Sequence, residues 1–418
     1  MNHRLKSVLY SIAIIALAYL PAVKSYAQAD SLLRLNGVDS IFETQLLINQ
    51  SHHLFDSGKM DSAKSIAEKA CQISFRNNNV QGQVDALVLL GKINFKSGNN
   101  NQALYAFWQT IKLKSKIKDK SFSERIYYNM AVTFASMKQY PLALKYFSKA
   151  HHANEKKMLR NTITTSEKQE DTALYSHIEN VENIVSDTSK AALLWSDDPI
   201  HLLEDKTLVI DADTMYIRQR TGKKKELKIT GANILHSFDD GKQGMAYGLI
   251  IHTKQPISGK RKSFSGINTV GHMFITLIKY NSDTEYTSRT FGFYPDKDNF
   301  LSATPLIPTS TSTFKDDGQH DWDEIVAKFI PKHSFNKILR MVKKYSRTKY
   351  NLNKNNCTDF GLCVASVAGI QIKDTHGSWP LGSGNNPGFA GQSIIDDKVL
   401  DDNNDELLII DAAKDNLQ

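Results

Sequence analysis

Residues 350–370 read YNLNKNNCTDFGLCVASVAGI, a polar, asparagine-rich lead-in that gives way after Asn356 to an apolar stripe. Phe360, Val364 and Val367, with Ala368 beside them, follow the spacing of four and three that marks one face of a helix. Gly369 supplies the stop. Asn355 or Asn356 is the natural N-cap, which puts Cys357 in the first turn with Thr358 behind it. Unpaired amide N–H groups and the helix dipole favour an anion there, so a thiol in that position ionises below its ordinary range. Asn356 and Thr358 are therefore the candidate cap and oxyanion support. A nucleophilic thiol also needs a base. His272, at the start of an apolar strand and flanked by Gly271, is the natural partner, with Gly271 leaving room for a substrate backbone.

Working outward, three strands are legible: Ala246–Thr253, Gly271–Ile278 and Arg289–Tyr294, the last two joined by a polar turn at Asn281–Asp283. Trp322–Ile330 is a fourth candidate. A helix from Ser334 to about Tyr345 carries Phe335, Ile338, Leu339 and Val342 on one face. A Gly-His strand followed later by an Asn-Cys-x-x-Phe helix (Gly271-His272, then Asn356-Cys357-Thr358-Asp359-Phe360) resembles the permuted branch of the NlpC-like papain-fold superfamily, which includes the lecithin:retinol acyltransferase-like proteins. The resemblance covers roughly residues 245–395. It implies an α+β papain-like domain with an antiparallel sheet, acting by thiol hydrolysis or acyl transfer on amide or ester bonds, with Cys357 as nucleophile and His272 as base. A third polar residue on the neighbouring strand usually orients the histidine. Here Phe291-Gly292-Phe293-Tyr294 offers no His, Asn or Asp, so the Tyr294 hydroxyl is the group that fits, with His320 or Asp321 as substitutes. Cys363 reads as core. Gly377–Gly388 reads as a glycine-rich loop whose exposed Trp379, with Gly271, walls the cleft, or else as a linker. The acidic stretch from Asp396 holds eight acids and two bases and reads as a frayed tail apart from Leu407–Ile410.

The N-terminal half repeats with a period of 40. Gly58, Gly98 and Lys138 align, as do Ala63, Ala103 and Ala143; Ser51, Gly91 and Ala131; Ala67, Phe107 and Phe147; and Ala70, Thr110 and Ala150. Each copy reads as two amphipathic helices around a turn. The order of small residue, turn, alanine, large aromatic and small residue resembles the tetratricopeptide repeat, although the spacing exceeds its usual length of about 34. The resemblance implies a helical-repeat solenoid whose groove holds a protein or peptide partner. Tyr105, Phe107 and Trp108 read as packing residues, and Cys71 as an apolar filler.

Ahead of the repeats, Arg4 and Lys6 precede an apolar run from Val8 to Leu20, then Pro21 and Ala27-Gln28-Ala29. This is the pattern of a secretory signal peptide and predicts an exported, periplasmic or secreted protein with no membrane span after cleavage. Three cysteines without a CxxC pair argue against a disulfide framework or a structural zinc. The absence of a Walker loop, HExxH or GxGxxG removes the common nucleotide and zinc-protease readings, so no cofactor and no metal are expected. The net charge of +8 suits an anionic envelope surface better than nucleic acid in an exported chain. The predicted organisation is a signal peptide (1–29), helical repeats (30–157), a polar, partly helical connector (158–199), a small β element (200–240), the papain-like domain (241–395) and the acidic tail (396–418). Two functions follow. One is an exported cysteine hydrolase or acyltransferase on a peptide, cell-wall peptide or lipid substrate, with the repeats docking a partner. The other is a non-catalytic scaffold whose papain-like domain is degenerate.

Overall fold

The computed structural model describes residues 37–117, 119, 121–151, 227–264, 270–282, 285–297, 299, 301–402, 407–414 and 416–418. The expected signal peptide, the connector and most of the 200–240 element lie outside the described residues. Among those residues no helix is long and apolar enough to cross a membrane. The chain has a helical N-terminal half followed by an antiparallel sheet region, and it divides into two compact units, residues 1–93 and 94–418.

Helices α1 (Gly37–Asp56), α2 (Met60–Arg76), α3 (Val80–Lys96), α4 (Asn100–Ile111), α5 (Phe122–Ser136) and α6 (140–151) follow one another. α2 and α3 each have 17 residues, and only residues 57–59, 77–79, 97–99 and 137–139 separate most neighbours. The excess length of the repeat therefore lies in the helices; 112–121 is the one longer link. Gly58, Gly98 and Lys138 occupy the turns with φ of 76°, 75° and 60°. That left-handed backbone suits glycine and strains a side chain. Ala63, Ala103 and Ala143 are fully buried. In the first copy the small residue lets α1 and α2 approach until the Ser51 hydroxyl donates to the Ala63 carbonyl at 2.7 Å. Phe107 and Trp108 are buried as read, whereas Tyr105 is exposed.

Strands β1 (Lys228–Ile229), β2 (Ala246–Lys254), β3 (His272–Tyr280), β4 (Tyr286–Asp296), β5 (Thr309–Asp316), β6 (Glu324–Phe329), β7 (Tyr350–Asn351) and β12 (Leu408–Asp411) form one antiparallel sheet. Its order is β1-β5-β4-β3-β2-β6-β12, with β7 paired to β5. One face buries Leu249, Ile251, Met273, Ile275, Phe291 and Phe293. These pack against helices α8 (Lys332–Tyr345), α9 (Cys357–Val367) and α10 (Pro387–Ile395), which contribute Ile338, Val342, Phe360, Val364 and Ile394. The other face meets the third helical copy. Gly248 lies against Leu144, the Tyr280 hydroxyl donates to the Pro141 carbonyl at 2.7 Å, and the Tyr140 ring meets His252 edge-on. The third copy thus belongs to the same unit as the sheet.

Several expectations change. β5, which reads TSTSTFKD, is a strand that the apolar pattern does not reveal, because Phe314 is its only large apolar residue. β-Branched Thr suits the strand, and pairing with β4 on one side and with β1 and β7 on the other places it in the sheet. Residues 231–237 form a short helix, α7, instead of β structure; the Thr230 hydroxyl caps it. The glycine-rich stretch is neither loop nor linker: His376–Trp379 (β9) and Gly382–Asn385 (β10) form a hairpin, and Pro387 opens α10. Trp379, expected exposed, is buried against Phe264. Cys363, expected in the core, is exposed. Within the described residues the acidic stretch is not frayed. Val399–Asp401 (β11) pairs with Ile370–Ile372 (β8), and β12 pairs with β6. Asp396 forms an ion pair with Arg261 at 2.9 Å, and Asp401 forms one with Lys328 at 2.7 Å, the two side chains only 5% and 1% exposed.

Candidate functional site

Asn356 has extended backbone, and its side-chain oxygen accepts the N–H groups of Thr358 at 2.8 Å and Asp359 at 3.1 Å. Asp359 answers by accepting the Asn356 N–H at 2.9 Å. This reciprocal capping box satisfies donors that would otherwise be orphaned. The Asn356 amide also donates to the carbonyls of Leu352 and Asn385 at 2.9 and 2.8 Å. The side chain is fully engaged in structure, so the oxyanion part of its expected role is not available to it. Cys357 follows as the first helical residue, 7% exposed, with Thr358 buried behind it.

His272 begins β3 after Gly271, whose φ is 72°. The space beside Gly271 is taken by the Lys254 carbonyl and Pro256, so this glycine serves a backbone turn and not a substrate. The His272 ring is buried. Its Nε2 lies 3.0 Å from Asp317 Oδ2, which leaves Nδ1 as the ring nitrogen free to serve Cys357. The other oxygen, Oδ1, accepts the Tyr294 hydroxyl at 2.6 Å, and the Tyr294 ring packs 4.3 Å from that of His272. Asp317 is the group that sequence reasoning missed. It lies just past β5, two strands from His272, and reaches across β4 at Gly292. A β-carbon on Gly292 would collide with both His272 Nε2 and Asp317 Oδ2. The glycine that left the neighbouring strand without an orienting residue is what allows Asp317 to pass over it.

The substitutes sit elsewhere. The His320 ring lies tilted against that of His272, with centroids 5.2 Å apart, while its Nδ1 faces the Asp321 carbonyl at 2.7 Å. Asp321 is largely exposed and pairs with Lys138. Trp379 lies on the β9–β10 hairpin, which reaches the helix cap through Asn385. Tyr350, quoted above but given no role, lies against Cys357: its hydroxyl is within hydrogen-bonding reach of the Cys357 amide and sulfur.

Burial opposes charge on both Cys357 and His272, and the partners overcome it. For His272 the Asp317 carboxylate and its hydrogen bond, with Cys357 adding to them, push the imidazole up to about 10. For Cys357 the hydrogen bond to and charge of His272, then the Met273 N–H, hold the thiol below its usual range. The arrangement favours the thiolate–imidazolium form more than an isolated cysteine would. A cavity of about 560 Å³ opens between α7 and β4, lined by Ala232, Asn233, Ser237 and Arg289; neither Cys357 nor His272 lines it. Among the described residues no group of three His, Cys, Asp or Glu side chains is placed to hold a metal ion. No protein-family model matches this chain, and no curated protein matches it.

Proposed function

We propose that the chain is an exported thiol hydrolase or acyltransferase acting on amide or ester bonds, with Cys357 as nucleophile, His272 as acid–base and Asp317 as the residue that orients it. The observation that carries this reading is the chain of contacts from Cys357 at the head of a helix, through the His272 ring, to the fully buried Asp317 at 3.0 Å. Three side chains from α9, β3 and the end of β5 converge in the relation a nucleophile, its base and the orienter of that base require.

The Cys357 thiolate attacks the substrate carbonyl, forming a C–S bond and an oxyanion. The Met273 N–H is a backbone donor that reaches the sulfur. The His272 imidazolium then gives its proton to the leaving amine or alkoxide, and the carbonyl–leaving-group bond breaks. The thioester is released when water, or an acceptor alcohol or amine, attacks it while neutral His272 takes the incoming proton. Asp317 holds the ring in one tautomer and stabilises its cationic form.

The antiparallel sheet, with a Gly-His strand preceding an Asn-Cys helix packed on it, supports a permuted NlpC-like papain fold. The 40-residue helical hairpins with small residues at close contacts support a tetratricopeptide-like partner-binding array. Export rests on residues 1–29. Intact-mass analysis after brief exposure to p-nitrophenyl acetate tests the chemistry. One acetyl group is expected on Cys357, lost in Cys357→Ala and about a hundredfold slower to form in Asp317→Asn. No adduct on the parent chain, across ester and activated-amide probes, leaves the non-catalytic scaffold.

A further inference from the structure

The third helical copy departs from the first two at its turn. The turn residues Gly58 and Gly98 have open space around them, and glycine is the residue their left-handed backbone favours. The third copy holds Lys138 in the same conformation, at φ 60°, against steric preference. Its ammonium donates to the Gln319 carbonyl at 2.7 Å and to Asp321 Oδ1 at 3.1 Å. Both acceptors belong to the turn that starts at Asp317, which is closed by the His320 N–H donating to the Asp317 carbonyl at 2.8 Å. Two residues after Lys138, Tyr140 opens a column of rings. It meets His252 at 4.6 Å, His252 stacks on Phe274 at 4.5 Å, and Phe274 stacks on His272 at 5.5 Å. The hairpin therefore reaches the candidate triad twice, through the backbone that carries Asp317 and through the rings behind His272.

We propose that the turn of the third helical hairpin is a positioning element for the thiol site, with Lys138 fixing the 317–321 turn so that Asp317 stays on His272. This rests on the Cys357–His272–Asp317 reading above. The exposed Asp321 pair adds little by itself, because solvent screens it. The bond to the Gln319 carbonyl, which restrains backbone, carries the effect. The third hairpin then supports the thiol site, and anything that shifts this turn changes the reactivity of the thiol.

The test uses the full chain with Cys71→Ser and Cys363→Ser, so that iodoacetamide reports Cys357 alone, with rates followed from pH 5 to 10. Lys138→Gly is expected to melt at or above the parent temperature, since glycine relieves the backbone. Its alkylation at pH 6 is expected to fall roughly three- to tenfold, with the thiol titrating closer to an ordinary cysteine. Lys138→Arg, which keeps both donors, should restore the parent profile. If the glycine variant loses its cooperative melt, Lys138→Asn takes its place with the same expectation. A glycine or asparagine profile that superimposes on an activated parent overturns the positioning role alone. A parent thiol that titrates like a free cysteine overturns both this inference and the enzymatic reading.

Discussion

Gly292 is the residue on which the site geometry turns. Its missing β-carbon leaves the gap through which Asp317 meets His272, so Gly292→Ala must displace one of them. The expected result is at least a tenfold loss of alkylation at pH 6, with the sheet still folded by circular dichroism. Asp317→Asn removes the main force raising the His272 pKa, so the pH at which Cys357 becomes reactive should move up toward that of an ordinary thiol. The same groups set the pH dependence of stability. His272 is raised in the fold to about 10, so its contribution is complete below its unfolded value near 6.5 and is lost as pH rises through 10. Glu324 is also raised, to about 9, by burial first and then by Asp323 and Asp411. Neither of its oxygens has a hydrogen-bond partner among the described residues. It favours the fold while protonated, and that stability drains away between about 4.5 and 9. Glu324→Gln should flatten the unfolding free energy from urea titrations across that window and raise it at pH 8 by about 1–2 kcal/mol; an unchanged slope would mean the carboxyl is solvated in the fold.

At the scale of the element, α9 couples stability to chemistry at its first turn. Its capping box and the two bonds from the Asn356 amide tie the helix head to β7's loop and to the β9–β10 hairpin. Asn356→Ala should cost about 1–2 kcal/mol, since caps of this kind carry that much, and should slow Cys357 alkylation along with it. Asn356→Asp keeps the acceptor but loses both donors, so thermal melts should place it between alanine and parent. Equal melting of all three would remove the cap as a structural determinant.

At the scale of the whole molecule, the sheet is covered on both faces, by α8–α10 on one side and by the third helical copy on the other. The acidic segment contributes two pairings to this unit. The Lys328–Asp401 pair between β6 and β11 is nearly inaccessible to solvent. Removing one partner strands the other charge in a low dielectric, so Asp401→Ala should destabilise the unit by about 3–5 kcal/mol in denaturant titrations. Replacing both residues with apolar ones should recover much of that loss. If the single variant costs no more than a surface substitution, the pair is not buried in solution. The Gln418 backbone exchanges two further bonds with buried Asn129 of α5, at 2.7 and 2.9 Å, so the C-terminal segment also holds the hairpin that carries Lys138.

The sequence by itself determined what depends on neighbours along the chain. The helix after Asn356, the strands around Ile250, Ile275 and Phe291, and the 40-residue register with its turns at Gly58, Gly98 and Lys138 were all legible, because spacing, caps and left-handed turns are local physics. Cys357 and His272 were legible for the same reason: one heads a helix and the other follows a glycine into a strand. Only the tertiary structure decided that β5, almost without apolar residues, belongs in the sheet, that residues 399–401 and 408–411 of the acidic stretch pair as strands, and that Asp317 crosses Gly292 to reach His272. Those outcomes depend on sheet order and on which buried charge meets which partner. Such pairings join residues tens or hundreds of positions apart, and no local pattern encodes them.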